Sequence, residues 1–120
     1  MSSVEVAPAR PDDVDRCPAI ERRAAALFPD DDLPPNAVEE TTALETLERA
    51  QREGRLFVAR VDGGKEPVGF VLVEDHGDEA HLEELDVLPE YGRRGIGRAL
   101  VEAACAWAAA EGHAGVTLST

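Results

Sequence analysis

Cysteine is scarce in this 120-residue sequence: Cys17 and Cys105 are too few and too isolated for a disulfide framework, and no CxxC or Cys/His ligand spacing marks a metal site. A reducing, cytoplasmic compartment suits that usage, and no metal is expected. Long apolar runs are missing as well. None approaches the roughly 20 residues a membrane-spanning helix needs, and Met1 to Val6 has neither the basic nor the apolar region of a signal peptide. Positive charge is the third deficit, with 12 basic against 25 acidic side chains and a formal net charge of -13. Such a chain repels phosphate backbones and anionic lipid at long range, which sets aside nucleic acid and membrane as main partners. Lys65 is the only lysine, a skew toward arginine that carries no function by itself.

What is present fits one soluble domain over residues 1–120, since the length falls where folded domains cluster, the hydrophobic share is 43% and the charged share 31%. Val4 and Val6 suggest a first strand. Pro11, Asp12 and Asp13 are helix-start chemistry, because proline lacks an N–H that would be unpaired there and the acids meet the positive end of the dipole. That helix is expected to reach about Phe28, with a kink or break at Pro18. Asp30, Asp31 and Asp32 between prolines read as a loop. Asn36 as N-cap, with Glu39 as capping-box partner, opens a second helix whose apolar face is Ala43, Leu44, Leu47 and Ala50. Leu56 to Val61 and Val68 to Val73 form a hairpin, and His81 to Leu88 is a third meander strand. A helix follows from about Gly95 to Glu111, and Val116 to Thr120 is a last strand that the crossover makes parallel to its predecessor. The predicted order is βααβββαβ, an α/β fold.

The informative chemistry lies between the third meander strand and the long helix. Gly95 and Gly97 stand one residue apart at the first turn of that helix, where amides are unpaired, the dipole is positive and no Cβ blocks a close approach. Arg93, Arg94 and Arg98 add donors suited to phosphate oxygens, a local reversal of sign in an acidic chain. A Rossmann loop is disfavoured, because Leu100 stands where the third glycine belongs and no acid follows in Val116 to Thr120. The Gly-Lys-Ser/Thr ending of a Walker loop is also lacking.

With the lead-in Leu85-Asp86-Val87-Leu88-Pro89-Glu90-Tyr91, the segment resembles the GNAT superfamily of acyl-CoA-dependent N-acyltransferases, whose loop is usually written Gln/Arg-x-x-Gly-x-Gly/Ala. Gly92 departs from the first position of that motif. The resemblance implies a mixed sheet with helices on both faces and a splay between the fourth and fifth strands. It also implies acetyl-CoA or a close relative as co-substrate. Backbone groups of Leu85, Asp86 and Val87 would hold the pantetheine arm, and Arg93, Arg94, Gly95, Ile96, Gly97 and Arg98 the pyrophosphate. An amine attacking a thioester must shed a proton. Glu83 is the expected base, with His81 relaying the proton from the same strand face. Glu84 points to the other face unless a bulge intervenes, and is expected to bind a cationic substrate.

The acidic loop at Asp30 to Asp32 sits where the family forms one wall of the acceptor pocket and could attract an amine, but a plain solvated loop is the favoured reading. Trp107, Leu100 and Ala104 share a helix face and read as core, Cys105 as a small buried residue, and His76 and His113 receive no role. The family normally continues past the strand that ends here at Thr120, so the sequence reads as a C-terminally truncated domain with a free last edge, leaving a homodimer open. Two functions from different classes follow: transfer of acetyl to a primary amine of a small molecule or peptide, or a non-catalytic acyl-CoA-binding or interaction module.

Overall fold

The computed structural model of the chain describes residues 3–25, 42–92 and 95–118. Its elements are β1 (Val4–Pro8), α1 (Pro11–Val14), α2 (Cys17–Ala25), α3 (Leu44–Arg52), β2 (Leu56–Val61), β3 (Gly69–Asp75), β4 (Glu79–Val87), α4 (Ile96–Ala110) and β5 (Gly115–Leu118). One five-stranded sheet runs β1-β2-β3-β4-β5, antiparallel up to β4 and parallel between β4 and β5. This is the predicted α/β arrangement, with the first helix divided into α1 and α2. The division falls at Asp15 and Arg16, ahead of Pro18. Pro18 is the second residue of α2, where its missing N–H has no intrahelical acceptor to lose, so it opens a helix instead of kinking one.

The expected cap at Asn36 and Glu39 and the loop at Asp30 to Asp32 lie outside the described residues. Of the apolar face expected on α3, only Leu47 and Ala50 are buried; Leu44 is 46% exposed. The stripe is narrower than the spacing suggested, because α3 contributes one edge of a layer shared with α1 and α2.

Strands β2 and β3 read as unbroken apolar runs because helices cover both of their faces. On one face Leu56, Val58, Phe70 and Leu72 pack with Cys17, Ile20, Leu47 and Ala50 from the α1–α3 layer. On the other, Phe57, Ala59, Val71 and Val73 pack with Ile96, Leu100, Ala104 and Ala108 of α4. The buried stripe of α4 steps by four residues. Cys105 lies about 100° round from Ala104, so it is exposed, contrary to expectation. Trp107 packs partly buried against the α4 core, as expected, and its ring meets that of His113 at 5.2 Å.

The β3–β4 ladder carries one irregularity. Leu72 pairs with Glu84 but Val73 pairs with Leu82, so Glu83 is an extra residue in β4. A bulge of this kind turns the strand and reverses which face each later side chain takes.

Candidate active site

The chain leaves β4 through a 3-10 turn at Pro89–Tyr91 and enters α4 at Ile96. Ile96 and Leu100 are buried against the sheet and fix the first turn of the helix. The amides of Ile96, Gly97 and Arg98 precede the first intrahelical bond, which Ala99 N–H donates to the Gly95 carbonyl at 3.0 Å. Gly95, the N-cap, has φ 78° and needs glycine for its conformation. Gly97 has no such need. It is helical, and a Cβ built on it would meet nothing within 4 Å. Glycine inside a helix costs about 0.5–1 kcal/mol relative to alanine, and nothing in the fold recovers that cost. The open space therefore suits a ligand that approaches the backbone itself, and the unpaired amides suit an anion.

Arg93 and Arg94 lie outside the described residues. Arg98 is 86% exposed, with its Nε 3.3 Å from Glu102 Oε1 on the next turn, so its guanidinium is engaged on the surface. Arg23 of α2 donates two hydrogen bonds, of 2.7 and 2.8 Å, to the Glu90 carboxylate and thereby ties the turn before the cradle to the opposite helix layer.

Beside the cradle, β4 presents a free stretch. β5 pairs with Glu79 to Leu82, and no described strand pairs with Leu85, Asp86 or Val87 on that side. Their amides and carbonyls form an edge able to bond an extended ligand. Leu85 is 39% exposed there.

The bulge decides what lies across from this edge. His81 pairs with Glu74, Glu84 with Leu72 and Asp86 with Phe70, so all three share the face covered by α1–α3. Glu21 of α2 comes down onto the same face, and carboxylate oxygens of Glu21, Glu84 and Asp86 lie within 4.8 Å of one another. Burial first, then the hydrogen bond and charge of Asp86, push the Glu84 carboxyl up to about 8. Asp86 and Glu21 are raised too, in each case first by burial. Asp86 Oδ2 is buried without a hydrogen bond. Glu21 is held by Thr42, whose N–H donates to Oε2 at 2.7 Å and whose hydroxyl donates to Oε1 at 3.0 Å. The cluster can share a proton or receive a cationic group.

Glu83, the bulged residue, is about half-exposed and sits 3.7 Å from His81 Nε2. His81 Nδ1 and Thr117 Oγ1 are hydrogen-bonded at 2.7 Å, which joins this site to β5. The His76 ring stacks on His81 at 5.3 Å. Cys17, beneath the acids, is driven up to about 12 by burial and then by Asp13, Glu21 and Asp86, so it offers no thiolate.

The structure thus brings His81 and Glu83 together and places Glu84 and Asp86 with them near the free edge. Glu21, Thr42 and Thr117 belong to the same region without having been singled out from the sequence. Glu21 did leave a trace: with Cys17 and Ile20 it falls on the apolar stripe of α2, an acid where helical spacing calls for a buried residue.

Solved structures share this architecture. The ribosomal-protein-S18-alanine N-acetyltransferase of Escherichia coli superposes with a TM-score of 0.70 at 27% identity, over 97% of this chain and 66% of that one. The PaiA N-acetyltransferase of Thermoplasma acidophilum, in complex with coenzyme A, gives 0.69 at 20% identity, over 92% of this chain and 74% of that one. A GNAT family acetyltransferase of Brucella melitensis, in complex with acetyl-CoA, gives 0.71 at 18%, over 97% and 75%. The sequence model described as Acetyltransferase (GNAT) family matches residues 21–120, which include every element from the end of α2 onward and the whole of the site. The chain belongs to the GNAT acetyltransferase family.

Proposed function

We propose that this chain serves an N-acyltransferase that moves an acetyl group from acetyl-CoA directly to a primary amine of a small molecule or peptide. The observation that carries the reading is Gly97: a helical glycine with open space at its Cβ position, beside unpaired amides and next to the free stretch of β4. The backbone of Ile96, Gly97 and Arg98 would hold the pyrophosphate, with Arg93 and Arg94 as further donors, and the edge at Leu85, Asp86 and Val87 the pantetheine arm. Acetyl-CoA supplies an activated acyl thioester.

The chain's own side chains handle charge and protons. Glu84, on the face covered by α2, receives a cationic acceptor. Glu83, beside His81, takes the proton that the amine sheds on attack, and His81, within 3.7 Å, passes it toward solvent. A Glu83→Gln substitution should lower transfer to any accepted amine roughly 100-fold or more, the usual contribution of a general base, and leave acetyl-CoA affinity unchanged. Undiminished turnover in that variant removes Glu83 from the role. Acetyl-CoA binding with no transfer across a broad amine panel would favour a binding module.

A further inference from the structure

The connector that delivers the chain from β4 to the cradle is fastened firmly at its two ends. At its start the Leu88 amide donates to the Val68 carbonyl at 2.8 Å, and at its end Ile96 and Leu100 are buried against the sheet. The turn between, Pro89–Tyr91, has no fully buried residue. Arg23 supplies what packing does not. Its Nη2 donates to both oxygens of the Glu90 carboxylate, at 2.7 and 2.8 Å, so the carboxylate cannot swing without breaking a charge-assisted bond. The hydrogen bond from the Glu90 amide first, and then the one from Arg23, hold that carboxyl below its usual range, which keeps it ionised at neutral pH. A cation in the last turn of α2 also meets the negative end of the helix dipole. The dipole asks for no particular direction, however, and this side chain is aimed at a turn 67 positions along the chain.

We propose that Arg23 is a positioning residue for the acetyl-CoA cradle: through Glu90 it fixes the turn at Pro89–Tyr91, and with it the path on which the chain presents the amides of Ile96, Gly97 and Arg98. The inference rests on the acyltransferase reading above and extends its cofactor site to α2, in the layer across the sheet from α4. The two side chains are 55% and 48% exposed, and a pair so placed adds little to global stability. Its effect is local. The turn joins the free stretch of β4 to the start of α4, so a change in its orientation moves the two halves of the cofactor site relative to each other. Loss of the clamp therefore shows in affinity for acetyl-CoA and hardly at all in melting.

Calorimetric titration of acetyl-CoA into the full chain separates this clamp from plain charge. Arg23→Gln removes a positive charge and Glu90→Ala a negative one, so general attraction for a polyanion would weaken binding in the first and tighten it in the second. A clamp weakens both. Each should raise the Kd roughly fivefold, the double variant should bind no more weakly than either single, and all three should melt close to the wild-type temperature. Hydrogen exchange of the ligand-free protein reads the turn itself. The Tyr91 and Gly92 amides, which donate to the Leu88 and Pro89 carbonyls at 2.9 and 3.1 Å, should exchange several-fold faster in both single variants. They should exchange as in wild type in Arg16→Gln, which breaks the exposed pair with Glu66 and changes net charge as Arg23→Gln does. An unchanged Kd in either single variant, tighter binding in Glu90→Ala, additive losses in the double variant, or unchanged exchange at Tyr91 and Gly92 overturns the inference. A wild-type chain that takes up no acetyl-CoA overturns the reading beneath it, and the inference with it.

Discussion

Gly97 is the residue whose presence the fold explains least and a ligand explains best. Replacing it with alanine adds a Cβ into open space and improves helix propensity, so Gly97→Ala should stabilise the protein by about 0.5–1 kcal/mol in denaturant unfolding. Glu84 makes the opposite case, a side chain that the fold tolerates at a cost. Its carboxyl is raised from 4.5 to about 8 in the folded state. The contribution to stability is therefore full below its ordinary value and is lost as pH climbs through about 8. Glu84→Gln, neutral throughout, should gain on the wild type between those limits and be ahead by roughly 1–2 kcal/mol at pH 9, a figure reduced for partial solvent screening. At pH 4 the two should melt together. A constant difference across the range would mean that Glu84 titrates normally.

At the scale of elements, much of the architecture was legible because each strand and helix carries its own period. The order of elements, the hairpin, the parallel last strand and the glycine-headed helix could all be read from spacing and turn chemistry. The bulge was legible too, though only as a condition on Glu84. Ala80, Leu82, Leu85 and Val87 all pair across from residues on one face of β3, and the three-residue interval between Leu82 and Leu85 is the trace of the inserted Glu83. What the sequence did not show are contacts between distant segments. Glu21 and Thr42 meet across 21 positions, and His81 and Thr117 across 36, and no local period encodes either. Cys105 was misplaced for a simpler reason: an alanine-rich helix gives few apolar side chains from which to fix the buried stripe. Gly69 shows how tightly α4 is seated. A Cβ there would stand 3.0 Å from the Asp86 carbonyl oxygen, 3.2 Å from Val87 Cγ2 and 3.3 Å from Leu100 Cδ1. Gly69→Val should cost roughly 1–3 kcal/mol by denaturation, since backbone and core must both give way.

The whole molecule is a sheet clasped between two helical layers, and buried polar links fasten those layers at the edges. Arg60 of β2 reaches Asp13 of α1 at 2.5 Å, with side chains 14% and 6% exposed. The other Asp13 oxygen accepts the Arg10 amide at 2.9 Å. Asp13→Ala strands a buried guanidinium and removes the helix-start bond, so it should cost about 3–5 kcal/mol in unfolding free energy, far more than loss of an exposed pair such as Arg16 with Glu66. Among the described residues no helix is long and apolar enough to cross a membrane. The chain spans 66% of the length of the Escherichia coli enzyme it resembles.

The cradle at the head of α4 is the point on which the account turns, and calorimetric titration of acetyl-CoA into wild type and Gly97→Glu tests it directly. Because the position is helical and open, Gly97→Glu should melt close to the wild-type temperature, while a carboxylate placed among the free amides should weaken acetyl-CoA binding at least roughly tenfold. Equal affinity in the two proteins would contradict the assignment of the cradle to acetyl-CoA.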